Sequence, residues 1–234
     1  MNIRLRELGI AVDRISAIDG SRFTGGIPEC YTGATVRFPR FMSAGEVACF
    51  LSHRACWEKL LSSNENWALC MEDDLVISDR AAQFMQDTAW IPPQVKIVQL
   101  SMLEPEMHAR IRKSRIQLDD ETELVVPLKP SPVGAQAYLI SREAAQWAVE
   151  NSNHFGCPVD EFLFSLWFEM ANKFLTWRVS PVWVLEKGMP TNITGRGIAR
   201  KLPFFIRHGP VHFFLDCQVK MKKMMGVKSY ISFK

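Results

Sequence analysis

Residues 67–78, WALCMEDDLVIS, decide how the chain is read. Trp67 to Met71 is a short apolar run of strand length, Glu72, Asp73 and Asp74 follow without a spacer, and apolar residues resume at Leu75. Adjacent carboxylates repel one another and lose hydration if their flanks are buried, so a fold that keeps them there must offset both costs, with solvent or with a cation. Strand alternation sends Glu72 and Asp74 to one side and Asp73 to the other. The acids are therefore expected at the C-terminal end of a strand.

Working outward, SAGEVACFLSHRACWEKLLSS predicts a helix to about Leu61, because Ser43 and Glu46 have the spacing of a capping box and Val47, Phe50, Leu51 and Trp57 supply buried contacts. VKIVQLS (95–101) and AQAYLIS (135–141) read as further strands, the second feeding a helix at REAAQWAVEN. Between them, the charged and weakly patterned residues 104–123 read as an excursion or hairpin, and the prolines of VPLKPSPVG mark a loop. Another helix is expected near CPVDEFLFSLWFEM, with Pro158 suited to its first position and Asp160 and Glu161 in the first turn. Strands alternating with helices imply an α/β sheet, in which ligands bind beyond the carboxyl ends of the strands.

The chain has 234 residues, 47% of them apolar, which suits one large domain with a single core. Its formal charge of +3 hides an asymmetry: after residue 195, nine basic residues face the single Asp216, a net of +8, so the preceding residues total −5. The expected division is a domain over 1–195 and a basic, aromatic tail over 196–234, which suits an anionic membrane leaflet or a solvated helix face. Basic residues confined to one end, with no recognised module, argue against nucleic-acid binding. The six cysteines (Cys30, Cys49, Cys56, Cys70, Cys157, Cys217) form no CxxC pair and read as buried thiols of a reducing compartment. No run of about 18 uncharged apolar residues occurs, and MNIRLRELGI lacks the layout of a signal peptide. The expectation is a cytoplasmic protein, peripheral to the inner membrane if the tail docks.

Hard cations such as magnesium and manganese take oxygen ligands and commonly use one or two carboxylates, leaving positions for water and phosphate oxygens. The acidic triplet suits that role, and a cation held there would stabilise charge on a departing diphosphate. A metal-dependent phosphoesterase would also use clustered acids, but such sites commonly add histidines, and the five histidines show no paired spacing near the triplet.

GEVACFLSHRACWEKLL followed by WALCMEDDLVIS resembles the signature of the family 25 glycosyltransferases, which build bacterial lipooligosaccharide. The resemblance continues in LRELGIAVDRISAIDG upstream and in VKIVQLS, GAQAYLIS and PVDEFL downstream, covering roughly residues 4–190. It implies a single GT-A-like α/β domain with a mainly parallel sheet, moving a hexose, as in a β-galactosyltransferase, from UDP-galactose to a lipooligosaccharide core sugar. In that family the acidic motif is taken to bind a divalent metal, Mn2+ or Mg2+, and the donor diphosphate. Carried over, Asp74 is the favoured direct ligand, Glu72 a second ligand or orienting group, and Asp73 part of the donor site. An inverting transferase needs a base for the acceptor hydroxyl, for which Asp160 is the candidate, although a first-turn carboxylate also stabilises its helix by roughly 0.3–1 kcal/mol without catalysis. His53 would point to the nucleotide or be a hydrogen-bonded helix residue. Asp19 would touch the nucleotide or cap a turn with Gly20. Gly134 would let backbone approach the donor closely, and Tyr138 belongs to the same donor segment or to the core of its strand.

Two departures from the family pattern bear on this. Family members open with an apolar strand ahead of the segment matching LRELGIAVD, whereas residue 1 here falls inside what would be the first helix, so that strand is expected to be missing. A shortened, catalytically inactive member that keeps the fold as a binding protein is the alternative reading. LEKGMPTNITGRG also matches only loosely, and the aromatic and basic residues of KLPFFIRHGPVHFFLDCQVKMKKMMG are those that would meet the leaflet presenting a lipid-linked acceptor.

Overall fold

The computed structural model describes residues 5, 7, 9–10, 12–23, 26–27, 31, 41–73, 75–101, 109–127, 134–166, 168–186 and 227–229. Asp74 and the tail apart from 227–229 lie outside the described residues, so the readings placed on them are neither met nor refuted. In chain order the elements are a 3-10 turn (Gly20–Arg22), α1 (Ala44–Leu61), β1 (Trp67–Met71), β2 (Leu75–Ile77), α2 (Ala81–Met85), β3 (Ile97–Gln99), β4 (Ala109–Gln117), β5 (Glu123–Pro127), β6 (Ala137–Ser141), α3 (Arg142–Glu150), α4 (Val159–Phe164), α5 (Glu169–Phe174), β7 (Trp177–Ser180), β8 (Val184–Glu186) and β9 (Val227–Ser229).

Seven strands form one sheet in the order β1-β6-β3-β7-β5-β4-β9, while β2 and β8 pair separately. The expected mainly parallel sheet is corrected here: among the described strands of this sheet β3 and β7 pair in parallel and the other neighbours are antiparallel, while outside the strands Ser101 and Val184 form an isolated parallel bridge. Part of the physical reason is local. β4 and β5 are joined by a tight hairpin, which enforces antiparallel pairing, whereas parallel neighbours need a crossover of a dozen or more residues. β1 and β3 do run in the same direction, as helix-linked strands should, but β6 inserts between them and opposes both. Among the described residues β1 is consequently an edge strand, half-buried except at Cys70. It is also the first strand described, and three residues of the basic tail return as β9 beside β4.

Alternation along the strands builds two cores. Tyr138 and Ile140 of β6, with Ile97 of β3, face α1, α3 and α4 and meet Phe50, Trp57, Ala144 and Phe162. Ala137, Leu139 and Val98 face the opposite way, onto Leu75, Leu100, Trp177 and Trp183. On the second side the hairpin turn is clamped to α2: the Asp119 carboxylate accepts from the backbone N–H groups of Glu121 and Thr122, each at 2.9 Å, and pairs with Arg80.

The helix α1 carries the site, and both its ends are closed. Ser43 and Glu46 form the expected capping box, the Ser43 hydroxyl accepting from Glu46 N–H and the Glu46 carboxylate from Ser43 N–H. The 3-10 turn lies against this end so closely that a Cβ on Gly20 would sit 2.6 Å from the Ala44 carbonyl oxygen, a backbone atom that cannot give way. At the other end Arg142 donates to the carbonyls of Leu60, Leu61, Ser63 and Glu65 at 2.6–3.2 Å, satisfying acceptors the helix leaves orphaned. Arg142→Met is expected to lower stability by about 1.5–3 kcal/mol in urea denaturation, with Arg142→Lys recovering only part, because an ammonium lacks the planar fork that serves several carbonyls at once.

Candidate active site

The carboxyl ends of β1 and β3 and the amino end of β6 meet along one margin of the sheet. The β1–β6 ladder continues one step past Met71, where Glu72 N–H donates to the Gln136 carbonyl at 2.8 Å. Glu72 is thereby held at the strand end by backbone, its side chain 37% exposed, and Asp73 beside it is exposed. The expected placement of these two acids is what the fold provides.

Among the described residues, His53 answers the charge on Glu72. His53, on α1 and buried, directs Nε2 toward a Glu72 carboxylate oxygen at 3.8 Å. Burial pushes the His53 pKa down, but hydrogen bonding and charge attraction to Cys49 and Glu72 together outweigh it and raise the value to about 10. These partners favour the charged form of the imidazole, and a strand-end carboxylate that looked uncompensated in the sequence has a partner 19 positions earlier in the chain.

Behind His53 a hydrogen-bonded network fixes the ring. Nδ1 lies 2.9 Å from the Tyr138 hydroxyl, which also receives the Trp57 indole N–H at 2.9 Å. With the imidazole protonated, the phenol oxygen accepts from both and its own proton is free to go to the Cys70 thiol. Cys70 in turn donates to Cys56, whose pKa falls to about 7 through that bond, with burial opposing and His53 assisting. Tyr138 itself is fully buried, and desolvation first of all holds its hydroxyl protonated. Tyr138→Phe is expected to cost about 1–3 kcal/mol in chemical denaturation, since it strands the Trp57 donor and the Nδ1 group while leaving the ring's volume almost unchanged.

Not all sequence candidates converge here. His53, Glu72 and Tyr138 do. Gly134 sits at the same margin: its carbonyl accepts from the Gln99 amide at 2.7 Å, and a Cβ on it would lie 2.2 Å from Oε1 of Gln136, so the space glycine leaves is filled by Gln136. Tyr138, a core strand residue, reaches the site only through His53. Asp19 caps the 3-10 turn, accepting from Ser21 N–H and hydroxyl at 2.9 and 2.7 Å, bonds that lower its pKa. Asp160, half-buried in the first turn of α4, accepts from Glu161 N–H at 2.9 Å; α4 packs against α1, which brings its helix near the site. Sequence reasoning missed Cys49 and Trp57 as site residues. Their signal was there: Cys49, His53 and Trp57 recur every four positions and share one face of α1.

The donors at the margin are compatible with a hard divalent cation: Glu72 and Asp73 offer carboxylate oxygens that solvent can reach. His53 competes for Glu72, so a cation there would be taken at the expense of that pair.

A family model described as glycosyltransferase family 25 (LPS biosynthesis protein) matches residues 1–163. The chain is 26% identical over 151 residues to the lipooligosaccharide biosynthesis protein lic2B of Haemophilus influenzae, covering 63% of this chain and 56% of that protein. It is 28% identical over 115 residues to the lacto-N-neotetraose biosynthesis glycosyltransferase LgtE of Neisseria gonorrhoeae, covering 47% and 40%. A glycosyltransferase 25 family member of Aedes aegypti is 26% identical over 215 residues, covering 81% of this chain and 33% of the relative. The chain spans about half the length of the bacterial relatives it matches. With the family model covering well over half of it, the chain belongs to glycosyltransferase family 25.

Proposed function

We propose that the chain transfers a hexose, galactose from UDP-galactose, onto a hydroxyl of a lipooligosaccharide or lipopolysaccharide core sugar, with inversion at the anomeric carbon. Family membership and the names of the relatives support the class of reaction, and the observation that carries the site is the delivery of Glu72 by the β1–β6 ladder to an accessible sheet margin. Asp74 and Glu72 would hold a divalent cation, Mn2+ or Mg2+, with Asp73 beside the donor. When bound, that cation supplies positive charge against the departing diphosphate.

The protein's own residues do the rest. Glu72 is held in position by the backbone bond to Gln136 and by His53, so it pays little ordering entropy on binding. Tyr138 and Trp57 set the His53 ring and hence the direction from which Glu72 is approached. Asp160 takes the proton of the attacking hydroxyl on the face opposite the leaving group. The basic tail is proposed to meet the anionic leaflet that presents the acceptor; co-sedimentation with anionic vesicles and not with neutral ones is the expected result. No helix among the described residues is long and apolar enough to cross a membrane.

The test is UDP-galactose turnover by the purified chain on a lipooligosaccharide acceptor, with and without manganese, beside Asp74→Asn. Manganese-dependent galactose incorporation that collapses in the variant supports the reading. Turnover equal in parent and variant removes the metal assignment, and the absence of turnover with every sugar nucleotide removes the transferase reading.

A further inference from the structure

The acidic motif accounts for oxygen donors, but it does not account for a thiol and an imidazole gathered beside the same carboxylate. Cys49 and His53 are four residues apart on α1 and so share a face, while Glu72 comes to them from the end of β1. The Cys49 Sγ, a His53 ring nitrogen and a Glu72 carboxylate oxygen all lie within 4.8 Å of one another. We propose that these three side chains bind a borderline-soft transition ion, zinc, at a site that shares Glu72 with the oxygen-ligated cation of the glycosyl-transfer reading and differs from it in its thiol and imidazole ligands.

The donor chemistry selects the ion. Magnesium and manganese favour carboxylate, carbonyl and water, and gain little from a thiol or an imidazole. Zinc takes cysteine sulfur, histidine nitrogen and carboxylate oxygen, and three protein ligands leave one position of a tetrahedron open. The support behind the histidine is of the kind that orients a metal ligand: one ring nitrogen is fixed by the Tyr138 hydroxyl, itself fixed by Trp57 N–H, which leaves the other directed at Glu72. Access is open as well, since Cys49 is half-buried and the Glu72 side chain is 37% exposed.

The alternative occupant is a proton, which makes the trio a His53–Glu72 ion pair with a thiol beside it. Zinc must displace that proton and the thiol proton of Cys49, so binding releases protons to the solvent. The inference does not need the transferase reading, and the two are separable through Cys49, which has no part in the proposed transfer.

The experiment uses the full purified chain, stripped with chelator, kept reduced and titrated with zinc by calorimetry, and with cobalt(II) as a spectroscopic substitute. The expected result is one zinc per chain, a thiolate-to-cobalt charge-transfer band, and loss of that band in Cys49→Ser. Zinc affinity should fall in that variant by at least about 100-fold, since even outer-shell partners are worth 10–100-fold. Cys56→Ser should retain both properties, which excludes the Cys56 thiol as the ligand. Far-ultraviolet circular dichroism of Cys49→Ser matching the parent keeps the comparison valid, and Cys49→Ala serves in its place if it does not. Failure to bind zinc, or a band and affinity that survive loss of Cys49, overturns the proposal, whatever the outcome of the UDP-galactose assay.

Discussion

Trp57→Ala is expected to cost about 3–5 kcal/mol of stability in urea denaturation, the range for emptying a large aromatic site in a core. The side chain is completely buried and packs edge-on against Phe50 at 5.9 Å between centroids and near-parallel to Phe162 at 6.1 Å, joining α1 to α4. The substitution also takes away the indole donor of Tyr138, so the cavity and the lost hydrogen bond add at one position. Trp57→Phe keeps most of the volume and drops the donor, and should cost less than half as much. A loss below about 1 kcal/mol for Trp57→Ala would mean that this side of the sheet repacks freely, against everything the close-packed aromatic cluster implies.

Glu72→Gln is expected to lower sugar transfer by about 100- to 1,000-fold at saturating donor, the scale found when one preorganised electrostatic contact to a transition state is removed. The substitution keeps the size of the side chain while removing its charge and turning one acceptor oxygen into an NH2 donor, and the backbone bond to Gln136 does not involve the side chain at all. The check is kcat against KM with and without manganese, beside a melting curve of the same sample. A fall in kcat with the fold intact places Glu72 in the chemistry, whereas a matching fall in melting temperature with unchanged kcat leaves it as the partner of His53 and nothing more.

How much of this was legible in the sequence follows from the range of the forces involved. The capping box of Ser43 and Glu46, the span of α1 and the strand ending at Met71 are dictated by neighbours a few positions apart and appear where the sequence puts them, whereas the segment read as an excursion or hairpin over 104–123 is a hairpin whose second strand runs on to Pro127, into the first residues of the expected loop. Sheet order is not local. Nothing in AQAYLIS announces that β6 inserts between β1 and β3, and that insertion, added to the β4–β5 hairpin, makes the sheet mainly antiparallel and leaves β1 at an edge among the described residues. The helix expected after Pro158 breaks at Ser165, which turns extended, and resumes at Glu169. In the site, the acids were visible as a run, but their partner was not. His53 and Glu72 meet only because α1 lies across the sheet face at the end of β1, a tertiary fact that no spacing rule contains.

The route from Trp57 through Tyr138 and His53 to Glu72 has a thermodynamic side. Its members belong to α1 and to the sheet, so the surroundings of the Glu72 carboxylate exist only while the two layers of the fold stay joined, and a ligand held there binds the folded chain and not the unfolded one. Occupancy then adds to apparent stability by RT ln(1 + [L]/Kd), about 2.7 kcal/mol at a hundredfold excess over the dissociation constant. The thermal midpoint of this chain should therefore serve as a screening signal, ranking nucleotides and cations by how far each raises it, before any acceptor sugar is in hand.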